Sequence, residues 1–174
     1  MGHPDRPTGG SGLTKGLSMR MRSTLAVLAG SALGVGLSAA PAQAADLPNQ
    51  YVHGQWCTSI TEIGTKDTAN AEGMTALTVH QYKAICDGSW KNFSTIYVWQ
   101  QFHDLGYSYN ASAGVHVSGE SASRGWHTGA NRDREVYSKP TNTINLCTQA
   151  FGKIAYTKGG VTKESGAGAS SYVC

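Results

Sequence analysis

The chain contains no C-x-x-C pair, no H-E-x-x-H, no G-x-S-x-G and no D-x-D. The first two absences remove the usual zinc and dithiol spacings, the third the serine nucleophile elbow, and the fourth the acidic loop that advertises calcium. His53, His80, His103, His116 and His127 are scattered without a close pair, so no metal and no other cofactor is expected. Long runs of helical periodicity are missing as well, which argues against an α-helical fold.

Aromatic residues are absent from the first 44 positions. That stretch instead carries Arg20 and Arg22, an apolar run over about residues 25–37, and the small-residue site Ala42-Gln43-Ala44. It reads as a leader, 1–44, with a signal peptide at 19–44 cut after Ala44, in a style that points to bacterial export. The run is short and rich in Gly, Ser and Ala, so no membrane span is expected in the mature chain. A single secreted, extracellular domain, 45–174, is expected to remain, long enough to bury a modest core.

Net charge excludes another class. The formal charge of +3 belongs to the whole chain; without Arg6, Lys15, Arg20, Arg22 and Asp5, ten basic side chains face ten acidic ones. A neutral domain lacks the clustered positive charge that general nucleic-acid binding requires.

All four cysteines, Cys57, Cys86, Cys147 and Cys174, follow the leader. In an exported chain an even count reads as two disulfides. The nearly equal spacings favour 57–86 with 147–174 over the other two connectivities, each bridge contributing about 3 kcal/mol by chain-entropy arithmetic.

Period-two patterns recur at T-A-L-T-V-H-Q-Y-K-A-I-C (75–86), S-T-I-Y-V-W-Q-Q-F (94–102), G-V-H-V-S-G (114–119), T-I-N-L-C-T-Q-A (143–150) and K-I-A-Y-T (153–157). Turn residues punctuate them at 87–89, 104–106, 138–142 and 158–160. These signals give an all-β domain, a small antiparallel β-sandwich or barrel stapled by two disulfides. Residues 69–82 could open with a short helix, 106–114 reads as a Tyr- and Ser-rich turn, and the G-A-G-A-S-S of 166–171 as a flexible connector.

Within 94–102, alternation assigns Ile96, Val98 and Phe102 to the core and leaves Tyr97 and Trp99 together on the outer face. Two adjacent rings make a flat amphipathic platform suited to sugar rings or to an apolar partner side chain. The stretch S-A-S-R-G-W-H-T-G-A-N-R-D-R-E (121–135) adds Arg124, Trp126 and His127 as candidate contacts. The expectation is a non-enzymatic binding or effector protein recognising a cell-envelope or environmental glycan or a protein surface; its oligomeric state is not legible. Two alternatives stand beside it. One is a small hydrolase of phosphodiester (ribonuclease-like) or glycan bonds using His127 and Glu135, since a base, a carboxyl group and nearby arginines suit acid–base chemistry. The other is an extracellular inhibitor or antimicrobial protein.

Overall fold

The alternation of residues 74–98 organises the fold. In this computed structural model, which describes residues 46–174, the strands are β1 (Gln50–Val52), β2 (Gln55–Ala71), β3 (Met74–Cys86), β4 (Ser89–Val98), β5 (Ser108–Val117), β6 (Arg124–Thr128), β7 (Glu135–Tyr137), β8 (Thr148–Lys158), β9 (Val161–Glu164) and β10 (Gly168–Ala169). A single helical turn, α1 (Gln100–His103), follows β4. The expected leader lies outside the described residues. Among these elements every pairing is antiparallel. One sheet runs β1-β2-β3-β4-β7 and the other β10-β8-β5-β6, with β9 also on β8.

The two sheets face each other across a core that alternation dictates. Leu77, Val79, Ile96 and Val98 of the first sheet meet Tyr109, Ala111, Ala113, Ile154 and Tyr156 of the second, all buried. Glycine permits the close approach: a Cβ on Gly152 would lie 2.2 Å from Ile96 Cδ1. Hydrogen bonds also link the lateral margins. Lys139 N–H donates to Gly125 O at 2.8 Å on one side, and Ser171 N–H to Thr65 O at 3.1 Å on the other. The sandwich therefore approaches a flattened barrel at its margins, where open edges would leave backbone groups unpaired.

A second apolar cluster sits on the outer face of the first sheet. Val52, Cys57 and Ile60, with Leu47 beside them, cover Tyr82, Ala84, Cys86 and Phe93. Cys57 and Cys86 are direct cross-strand partners in the β2–β3 hairpin and are bonded to each other; Cys147 is bonded to Cys174. The observed connectivity is the one that the cysteine spacings favour. Among the described residues no helix is long and apolar enough to cross a membrane.

Several local expectations change. Residues 69–82 form no helix but the end of β2, a two-residue turn at Glu72-Gly73 and the start of β3; the β-branched Thr and Val residues prevail once a partner strand is present. Residues 106–114 are mostly strand, because Tyr109, Ala111 and Ala113 point inward. The strand expected over 94–102 ends at Val98, and α1 then buries Phe102 against the core. Residues 143–147 are loop, with β8 starting at Thr148. The presumed connector 166–171 contains β10, and Ser170 is buried where its hydroxyl accepts from Ala150 N–H at 2.8 Å.

Candidate functional site

Tyr97 precedes the last residue of β4 and is registered between Thr78 on β3 and Glu135 on β7. Its neighbours Ile96 and Val98 are fully buried, so its own side chain faces outward. Trp99 follows directly, and its indole N–H donates to Thr78 Oγ1 at 2.8 Å, which holds the ring on the same outer face. The Tyr97 and Trp99 centroids are 6.3 Å apart with planes at 77°, an edge-to-face arrangement and not the flat platform expected, because the indole hydrogen bond to Thr78 turns Trp99 across the end of the tyrosine. Each residue is 42% exposed. The cluster around Phe93 is roofed by the Leu47 and Val52 segment, while the Tyr97 end of the same sheet face is left open.

Polar groups frame the pair. The Arg134 guanidinium lies 5.1 Å from the Tyr97 ring centroid. It donates to Tyr97 Oη, to Gln100 Oε1 and, at 3.2 Å, to Val98 O, so its position over the ring is fixed. Glu135 accepts from Tyr137 Oη at 2.6 Å. Burial, then this carboxylate, raises the Tyr137 phenol well above its ordinary range. Burial, with the charge of Glu62, pushes Tyr82 up to about 12, so both hydroxyls stay protonated as donors.

One step along the same face, His80 Nδ1 and Glu62 Oε1 are 2.7 Å apart, at 21% and 7% side-chain exposure. This pair is not legible in the sequence. The signal available was T-V-H-Q-Y, whose alternation puts His80 on a face with Thr78 and Tyr82; nothing in the sequence marks Glu62 as its partner.

The other candidates lie elsewhere. Arg124 and Trp126 are on β6, where Trp126 covers Gly114 of β5 and its ring centroid lies 6.2 Å from that of Phe151. Phe151 points outward from β8, so Trp126 belongs to the outer face of the second sheet, opposite the Tyr97–Trp99 pair. Arg124 is ion-paired with Glu120. His127, one residue on, turns the other way and meets His53 with ring centroids 4.2 Å apart. His53, Asp133 and Glu135 line one cleft with His127, of about 200 Å³. Burial, then the charges of His53 and Lys139, holds the His127 imidazole below its ordinary value.

Tyr97 and Trp99 are thus brought together, His127 and Glu135 share a cleft, and Arg124 with Trp126 occupies a third place. No known protein family, characterised protein or solved structure matches the chain. The function has to be argued from these sites alone. Among the described residues no cluster of three or more His, Cys, Asp or Glu side chains is arranged to hold a metal ion.

Proposed function

We propose that this is a secreted, non-enzymatic protein that binds a cell-envelope or environmental glycan on the Tyr97–Trp99 face. The observation that carries the reading is the exposed edge-to-face pair, fixed by the Trp99–Thr78 hydrogen bond and the Arg134 clamp. Sugar rings present apolar C–H faces and equatorial hydroxyls. The Trp99 ring and the side of Tyr97 that Arg134 leaves uncovered receive the former, and Glu135, Gln100 and Arg134 at the rim offer acceptors and donors for the latter. Rigid side chains lose little rotamer entropy on binding, which favours a prearranged platform over a flexible one. The two disulfides suit an oxidising compartment, in keeping with the export signal read in the leader.

The test is co-sedimentation of the oxidised domain, residues 45–174, with insoluble peptidoglycan, chitin and cellulose. Retention on at least one polymer is expected; retention on none removes the glycan reading and leaves a protein partner for the same face.

A second reading rests on the shared cleft of His127 and Glu135, with His53 and Asp133 beside them. An imidazole held below its ordinary value is neutral at pH 7 and able to accept a proton, as a general base in hydrolysis must. Turnover of a phosphodiester or glycan substrate that disappears in His127→Ala is the result this reading requires.

A further inference from the structure

The segment that roofs the Phe93 cluster is tied down by a histidine. β1 is an edge strand of three residues, joined to β2 by the turn His53-Gly54. Val52 is buried and Leu47 half-buried against the cluster of Tyr82 and Phe93. At the turn, His53 reaches the far edge of the same sheet, where its Nε2 lies 2.8 Å from Tyr137 O on β7. A carbonyl only accepts, so this nitrogen carries the hydrogen. The same ring meets His127 of β6, in the second sheet, with centroids 4.2 Å apart and planes at 72°. One contact thus joins the roof, the edge of the first sheet and a strand of the second.

Two imidazoles pack in this way when at least one is neutral; two imidazolium ions in contact repel. The surroundings do not cancel the second charge. Tyr51, Asp133, Glu135 and Tyr137 line the cleft with the two histidines, and Lys139 adds a cation nearby. Glu135 is engaged by the Tyr137 hydroxyl, and Asp133 Oδ2 accepts from Ala130 N–H at 2.8 Å. Burial, then the charges of His53 and Lys139, outweighs the pull of Asp133 and holds His127 below 6.5. An imidazole held low in the folded state adds stability that is present above pH 6.5 and lost as pH falls through the lowered value. The elements decide which side gives way. His127 is half-buried on a strand registered with β5 at Ala113, with Thr128 beside it at Ser112, whereas His53 is exposed on a turn at the end of a three-residue pairing.

We propose that the His53–His127 contact is an acid-released latch: when both rings carry a proton, the turn leaves Tyr137 O and the roof over residues 47–54 lifts from the first sheet. Lifting uncovers Tyr82, Phe93 and Tyr137, a row of rings with successive centroids 5.4 and 6.3 Å apart. Phe93 and Tyr97 share the outer face of β4, so the uncovered row continues into the open Tyr97–Trp99 end. Only the gain in glycan contact rests on the glycan reading; the release itself stands without it. The other charged groups acting on Tyr82 beneath the roof are Glu62, Glu135 and Asp46, and His80 is paired with Glu62 on the same face.

Amide hydrogen exchange of the oxidised domain, corrected for the intrinsic effect of pH on exchange, tests the release. From about pH 7.5 to about pH 5, protection of the β1 amides is expected to fall about tenfold relative to those of Leu77 and Ile96, the size of the repulsion between two unit charges about 4 Å apart near the surface. The Leu77 and Ile96 amides report folding in each variant. His127→Gln cannot take the proton and is expected to keep β1 protected at both pH values. His80→Gln removes the other histidine on this face and is expected to leave the fall unchanged. A fall matched by Leu77 and Ile96, no fall at all, a fall that persists in His127→Gln, or one abolished by His80→Gln overturns the inference.

Discussion

Arg134 decides how Tyr97 is presented. Its guanidinium spans Val98 O, Gln100 Oε1 and Tyr97 Oη, so it ties the end of β4 to the start of α1 while covering one side of the tyrosine ring. Truncation should free the ring and cost ligand affinity more than stability. Arg134→Ala is expected to weaken polymer binding by about tenfold while lowering the unfolding free energy by no more than about 1 kcal/mol, as for other exposed polar contacts. Parallel binding isotherms and urea titrations measure the two quantities. Glu72 makes a different prediction. Hydrogen bonds from Lys158 and Tyr156, then Lys163, hold its carboxyl from 4.5 down to about 2. A carboxyl held low in the folded state adds stability that is present above pH 4.5 and lost as pH falls toward 2. In Glu72→Gln that acid-side loss should be shallower, as read from urea midpoints across the same interval; an unchanged slope contradicts the assignment. At this scale the sequence was informative where alternation acts. Ile96, Val98 and Phe102 are buried and Tyr97 and Trp99 exposed as expected, since one-in, one-out geometry depends only on the strand itself. The Glu62–His80 pair was hidden because β2 shifts register between Thr58 and Thr61 and between Ile63 and Asp67, and a bulge changes which residues face each other without leaving a mark in composition.

The elements show the same division between local and tertiary causes. Four hairpin turns share one conformation, with positive φ at both central residues: His53-Gly54, Glu72-Gly73, Asp87-Gly88 and Gly159-Gly160. Asp-Gly is the pair that advertises such a turn, and it was read from the sequence; Glu-Gly was not, which is why residues 69–82 suggested a helix. The stretch 166–171 looked like a linker because glycine and alanine carry no strand signal. Its order comes from what lies beneath: a Cβ on Gly168 would be 2.7 Å from Val79 Cγ2, so a small residue is what lets β10 dock. The Cys147–Cys174 bridge secures this segment, whose last link is a reciprocal backbone pair between Thr148 and Val173 at 2.9 and 2.8 Å. In a Cys147→Ser/Cys174→Ser variant the Val173 and Ser170 amides should exchange much faster, whereas those of Val79 and Ile96 keep most of their protection. Uniform acceleration across both sheets would show instead that the bridge supports the whole fold, in line with a loss of about 3 kcal/mol.

On the scale of the whole molecule, the sandwich separates its candidate surfaces. The sequence could collect Tyr97, Trp99, Arg124, Trp126 and His127 as one set, because strand pairing and sheet assignment are set by long-range contacts that one-dimensional spacing does not contain. The structure places the first two on one outer face, Arg124 and Trp126 on the other, and His127 in a cleft with His53. With ten basic and ten acidic side chains in residues 46–174, no broad field steers a ligand to any of them, so recognition has to rest on short-range contact. That separation lets one substitution on each face locate the binding surface. The deciding measurement is retention of three forms of the oxidised domain, unaltered, Trp99→Ala and Trp126→Ala, on whichever glycan polymer holds the unaltered form. Trp99→Ala is expected to lose retention and Trp126→Ala to keep it; loss with Trp126→Ala and retention with Trp99→Ala would put the binding surface on the opposite sheet and overturn the assignment to Tyr97 and Trp99.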